Sequence, residues 1–104
     1  MYLIVWEYHV KVHCTVDFEK IYGENGDWVE LFQKESGYAG TELLLNEQDP
    51  QRYLTIDRWV SQESYEQFHL QRQDEYKTLD ARCHELTDNE FLLGKWHTRG
   101  HKTR

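Results

Sequence analysis

The stretch Tyr53-Leu-Thr-Ile-Asp-Arg-Trp59-Val-Ser-Gln-Glu-Ser-Tyr65-Glu-Gln-Phe68 changes its hydrophobic period partway along, and that change decides the fold. From Tyr53 to Trp59 alternate residues share a face, so Tyr53, Thr55, Asp57 and Trp59 stand together on one side of a strand. Beyond Ser61 the spacing becomes helical, with Tyr65, Phe68, Arg72, Tyr76, Leu79 and Cys83 on one stripe. Ser61 has an N-cap side chain, and Glu63 suits a first turn, where unpaired backbone N–H groups favour negative charge. The pattern predicts a strand over residues 52–60 and one long helix ending near Glu85.

Working outward, residues 39–46 form a second apolar run, separated from the first by Glu47 to Gln51, where Asp49 and Pro50 supply turn chemistry. The two runs read as a hairpin. Residues 2–13 alternate strictly, with Tyr2, Ile4, Trp6, Tyr8, Val10 and Val12 on one face, and predict a long strand. Thr15 or Asp17 can cap a short helix through Tyr22. Gly23 to Gly26 break it, and Asp27 can cap a second piece carrying Trp28, Leu31 and Phe32. Thr87 and Glu90 have capping-box spacing, so a turn of helix is expected before a last strand from Phe91 to His97. The order is that of an α+β ferredoxin-like split βαβ fold, an antiparallel four-stranded sheet with its helices on one face. Leu44, Leu54 and Ile56 fall on the opposite face. An uncovered apolar sheet face of this size predicts association with a second subunit.

The 104 residues carry a net charge of −7, with 38% hydrophobic and 14% aromatic residues, the makeup of one domain whose burial relies on large rings. No composition shift divides residues 1–97. Residues 98–104 form a basic tail on an acidic body, with Arg99, Lys102 and Arg104 and no acid. The acidic balance argues against a nucleic-acid partner, since phosphate recognition needs concentrated Lys and Arg. The chain has no apolar run long enough for a membrane span and no leader-like start, which predicts a cytoplasmic protein. Cys14 and Cys83 lack paired spacing and are expected as free thiols. His9 and His13 point the same way along a strand about 13 Å apart, too far to share an ion, so no metal site is expected.

The residues able to do chemistry gather around the opening stretch. Trp59 with Tyr65, Phe68, His69 and Arg72 could wall a pocket for a flat organic ligand, or could simply be core. A carboxylate at Asp57, mid-strand, needs a cross-strand base or a cavity, and in a cavity it could act as a general base. His69 could shuttle a proton or stand as a half-exposed helix histidine. Gly-rich phosphate loops, GxSxG and HExxH are all absent from the sequence.

Ser36-Gly-Tyr-Ala-Gly-Thr-Glu-Leu-Leu44, followed by the strand and helix from Tyr53 to Phe68, resembles the antibiotic biosynthesis monooxygenase family of dimeric α+β barrels. The resemblance implies a homodimer whose two sheets pack together. It further implies cofactor-free oxidation of a small aromatic, a phenol or hydroquinone, by dioxygen. In such oxygenases a Trp at this strand end works with a Tyr six positions on, matching Trp59 and Tyr65; an Asn is typical where this chain has Thr55. Haem-degrading relatives carry a His on the following helix, where His69 stands, and an Asn in the first strand, where this chain reads Trp6-Glu7-Tyr8. The expected site is therefore Trp59, Tyr65, Asp57 and His69 as catalytic residues, with Tyr53, Thr55, Phe68, Arg72 and Tyr76 as ligand-binding residues. The alternatives are a dimer that binds a metabolite or haem without turnover, and a structural or stress-associated dimer.

Overall fold

A computed structural model describes residues 1–100 of the chain. Four strands and four helices follow the order β1 (Tyr2–Val10), α1 (Thr15–Tyr22), α2 (Asp27–Phe32), β2 (Tyr38–Leu45), β3 (Arg52–Trp59), α3 (Gln62–Gln71), α4 (Gln73–Cys83) and β4 (Thr87–His97). The strands form one antiparallel sheet in the order β2-β3-β1-β4. All helices cover one face of it, giving the two-layer α+β ferredoxin-like arrangement expected from the sequence.

Registry explains why each face is what it is. Tyr8 pairs with Tyr53, Trp6 with Thr55, Ile4 with Asp57 and Tyr2 with Trp59, so the alternating rings of β1 and β3 line up on the helix side. Phe18 and Tyr22 of α1 stack at 4.1 Å and close over Tyr8 and Tyr53. Phe32 of α2 and Phe68 of α3 close over Trp59. The opposite face, carrying Leu3, Val5, Leu54 and Ile56, has no covering layer among the described residues. Its outer members Leu44, Phe91, Leu93 and Trp96 are exposed.

The structure corrects the sequence reading at four places. β1 stops at Val10 instead of residue 13, because β3 begins at Arg52 and β4 at Thr87, which leaves Lys11 and its successors no strand to pair with; Val12–Cys14 form a 3-10 turn instead. The expected helical turn at Thr87 to Glu90 is strand, since Val10, His9 and Tyr8 of β1 offer ladder partners to Thr87, Asn89 and Glu90. The single long helix is two, divided at Arg72, whose backbone (φ −118, ψ 27) leaves helical geometry. Arg72 bonds Glu35 and Glu75 there, so its guanidinium anchors the start of α4 to the turn that follows α2. Lastly, Asp27 opens α2 without capping it and pairs with Arg82, and α1 has no side-chain cap. The cap expected at Ser61 is present, its hydroxyl accepting from the Ser64 N–H at 3.1 Å.

The first residues of the basic tail continue the sheet's edge, the Thr98 N–H donating to the Met1 carbonyl at 3.0 Å. Lys102 and Arg104 lie outside the described residues. None of the described helices is long and apolar enough to cross a membrane.

Gly40 carries the one backbone conformation among the described residues that demands a glycine, with φ 123 at a bulge where the β2–β3 register shifts. The bulge keeps both Tyr38 and Thr41 turned to the helix side, opposite Trp59 and Asp57. A Cβ at Gly40 meets nothing within 4 Å, so the penalty for adding one is purely conformational. Gly40→Ala is expected to lower stability by about 1–3 kcal/mol in a urea titration, with no change in the slope of the transition.

Candidate functional site

The alternation of β3 places two polar residues, Thr55 and Asp57, between the rings of Tyr53 and Trp59 on the covered face of the sheet. Burying them would be unfavourable without partners or space. Both are supplied. The Thr55 hydroxyl donates to the Tyr8 phenol oxygen at 3.3 Å, and the Thr41 hydroxyl donates to the Asp57 carboxylate at 2.7 Å. The Thr41 oxygen in turn accepts from the Tyr38 hydroxyl at 2.5 Å, so a chain Tyr38–Thr41–Asp57 runs along the β2–β3 ladder.

The space is a cavity between sheet and helices. Its walls are the rings of Trp6, Tyr8, Tyr22, Trp28, Phe32 and Tyr76. Thr41, Thr55 and Asp57 form its inner polar end, and Asp80 and Glu90 stand at its exposed edge. The cavity offers about 50 Å³ to the centres of water-sized molecules. At about 10–15 Å³ for one water, that is room for a few waters or for one flat ring whose substituent extends to the open edge.

Enclosure controls the charges. Burial pushes the Asp57 carboxyl up to about 6, while the Thr41 hydrogen bond works the other way. Desolvation raises the Tyr8, Tyr22 and Tyr76 phenols, which stay protonated at neutral pH. Desolvation, followed by the charge of Lys95, lowers His69 and favours its neutral form.

The structure distributes the expected site residues unevenly. Asp57, Thr55 and Tyr76 line the cavity. Trp59 does not, being fully buried with Phe32, Tyr38, Tyr65 and Phe68 around it at ring separations of 5.3–5.9 Å. Phe68 is fully buried beside it. Tyr65 and His69 lie outside the cavity lining and pack on each other at 4.6 Å, with the Lys95 ammonium 5.2 Å above the Tyr65 ring and His69 against the back of the wall residue Tyr76 at 4.8 Å. Tyr53 belongs to the α1 side of the core and donates its hydroxyl to Glu19. Arg72 is committed to Glu35 and Glu75.

The sequence places the pocket at the Trp59 end of β3, whereas it is the middle of the strand that opens into the cavity. Trp6, Tyr8, Tyr22, Trp28 and Thr41 escape recognition as wall residues, because they come from four elements whose juxtaposition no local pattern announces. The alternation of Trp6 and Tyr8 with the rest of β1 is the one available signal. Among the described residues no group of three His, Cys, Asp or Glu is arranged to hold a metal ion.

Comparison with known proteins agrees with this architecture. The family model for antibiotic biosynthesis monooxygenase matches residues 1–79, and the chain belongs to that family. No curated protein matches the sequence. Among solved structures, a Nitrosomonas europaea protein assigned to antibiotic biosynthesis monooxygenases superposes with a TM-score of 0.72 at 16% identity, covering 94% of this chain and 98% of that one. A conserved protein from Methanosarcina mazei Go1 gives 0.75 at 17% identity, covering 94% and 92%. SnoaB, a cofactor-independent oxygenase from Streptomyces nogalater, gives 0.70 at 16% identity, covering 96% and 94%. At these identities the superpositions establish the shared fold.

Asp57 makes a testable contribution to stability. Its folded value of about 6 lies above the ordinary 3.8, so the native state keeps the proton to higher pH than the unfolded chain does. Stability therefore falls as pH rises between those two values and stays reduced above them. Asp57→Asn, whose amide oxygen can still accept from Thr41, is expected to raise stability by about 1–3 kcal/mol at pH 8, the gain shrinking toward zero at pH 4. Urea titrations at the two pH values measure it.

Proposed function

We propose that this chain is a cofactor-independent monooxygenase that oxidises a small electron-rich aromatic, a phenol or hydroquinone, with dioxygen. The observation that carries the reading is a carboxyl group held at about 6 inside a ring-lined cavity. A base poised near neutrality is what removal of a phenolic proton requires. The family membership and the likeness to SnoaB support the oxygen chemistry.

In the proposed reaction Asp57 takes the phenolic proton. The phenolate passes one electron to dioxygen, and the resulting radical pair joins through a new carbon–oxygen bond. The ring carbon then loses its hydrogen as a proton while the peroxide O–O bond breaks. One oxygen stays as a quinone carbonyl, and the other leaves with two protons as water. The apolar walls exclude bulk water from the phenolate, and the raised phenols of Tyr8 and Tyr76 remain donors throughout. Of the two bases expected from the sequence, Asp57 is favoured over His69 because it lines the cavity. Trp59 and Tyr65 act from behind the wall, Trp59 bracing Phe32 at 5.6 Å. The narrow cavity favours a single ring over a porphyrin.

Oxygen consumption with methylhydroquinone is the direct measurement. The expected rate rises with pH through an apparent pKa near 6, and Asp57→Asn lowers kcat by about 10²-fold or more. Absence of turnover across a panel of phenols and hydroquinones, or an unimpaired Asp57→Asn enzyme, overturns the proposal.

The working unit in this reading is a homodimer, with the bare sheet face of one protomer laid on that of its partner. Exposed Leu44, Phe91, Leu93 and Trp96 on that face support it. Light scattering is expected to give twice the chain mass, and Leu93→Glu with Trp96→Glu to shift the protein to monomer.

A further inference from the structure

The cavity is unusual in the sign of its charges. Three of its lining residues are carboxylates, Asp57, Asp80 and Glu90, and among the described residues lining it none is basic. Several other carboxylates of the chain find cations: Glu7 holds Arg52, Glu35 and Glu75 hold Arg72, and Glu42 holds Arg58. The three cavity carboxylates have no ion-pair partner among the described residues.

Their placement is ordered. Asp57 lies at the inner end on β3, satisfied by Thr41. Asp80 on α4 and Glu90 on β4 both stand at the exposed edge, close enough that the Asp80 charge adds to desolvation in raising the Glu90 carboxyl, with His84 acting against it. Next to these two acids are Tyr8, which pairs with Glu90 across the ladder, and Tyr76, one turn before Asp80 on α4. Ring faces attract cations through their quadrupole, so the mouth adds two rings to two negative charges. The ring-lined space behind this mouth supplies the second requirement, a volume for the aromatic part of a ligand.

We infer that the cavity takes a cationic aromatic: a single phenol ring carrying a short, protonated amine arm. The ring lies between the aromatic walls, the hydroxyl reaches the inner polar end, and the ammonium rests between Asp80 and Glu90. Anionic aromatics of the same shape meet repulsion at the mouth and again at Asp57. The inference rests on the proposed site but not on its chemistry, because it concerns binding alone.

Three phenols of nearly equal shape separate the possibilities: tyramine, 4-ethylphenol and 3-(4-hydroxyphenyl)propionate, which are cationic, neutral and anionic at neutral pH. Titration calorimetry on the intact protein is expected to show tyramine binding about tenfold more tightly than 4-ethylphenol and the propionate not binding measurably. Raising the salt concentration is expected to narrow the tyramine advantage. In the double variant Asp80→Asn, Glu90→Gln the affinity for tyramine is expected to fall to that for 4-ethylphenol. Both residues are exposed, and circular dichroism with a urea titration verifies that the variant is folded. Equal or tighter binding of the propionate, equal binding of all three, or binding of none overturns the inference. Tyramine binding without oxygen uptake leaves the inference standing and counts against the oxygenase reading; turnover of 4-ethylphenol without a cation preference does the reverse.

Discussion

The burial of the Trp59 indole is the constraint on which the helix side of the molecule depends. No part of it reaches solvent, and the rings packed around it arrive from α2, from the start of β2 and from α3. Edge-to-face pairs of this kind contribute about 0.5–1.5 kcal/mol each beyond the area they bury, and they also fix angles. Phe32 cannot shift without losing Trp59, and Phe32 is the element of this cluster that reaches the cavity wall. The tryptophan thus sets the cavity's position without lining it.

A second constraint opposes the first. The same strand that ends in Trp59 carries Asp57 two residues earlier, on the same face and among the same rings. A carboxylate there weakens the fold once it ionises, and the molecule accommodates it with one hydroxyl donor and an unfilled space, not with a cation. The Gly40 bulge is part of that accommodation, since it turns Thr41 toward Asp57 across the ladder. Residues that weaken a fold while facing a cavity are the ones that functional demands explain best.

Much of the architecture is legible from local patterns. The change from period two to helical spacing near Ser61, the Ser61 cap, the turn around Asp49 and the alternation of β1 each depend on contacts within a few residues or on one buried face. Asp49 and Pro50 mark the turn in the sequence, while Asn46, whose side chain accepts from the Gln48 and Asp49 N–H groups, gives no such signal. Misreadings arise where a distant partner overrides a local preference. Thr87 to Glu90 could begin a helix, but β1 offers them hydrogen bonds. Gln62 to Cys83 could be one helix, but Glu35 holds Arg72 from the turn after α2.

The candidate site divides along the same line. That Asp57 is a carboxylate out of place in a strand comes from the sequence, because alternation alone puts it on the face with Tyr53 and Trp59. That it is held by Thr41 instead of an arginine, and that it shares a cavity with Trp28, Asp80 and Glu90, depends on chain segments far apart in sequence. A single chain pattern records which face a side chain takes. The groups standing across the gap from it are decided only when sheet and helices pack, and both the raised carboxyl of Asp57 and the acidic mouth come from that packing.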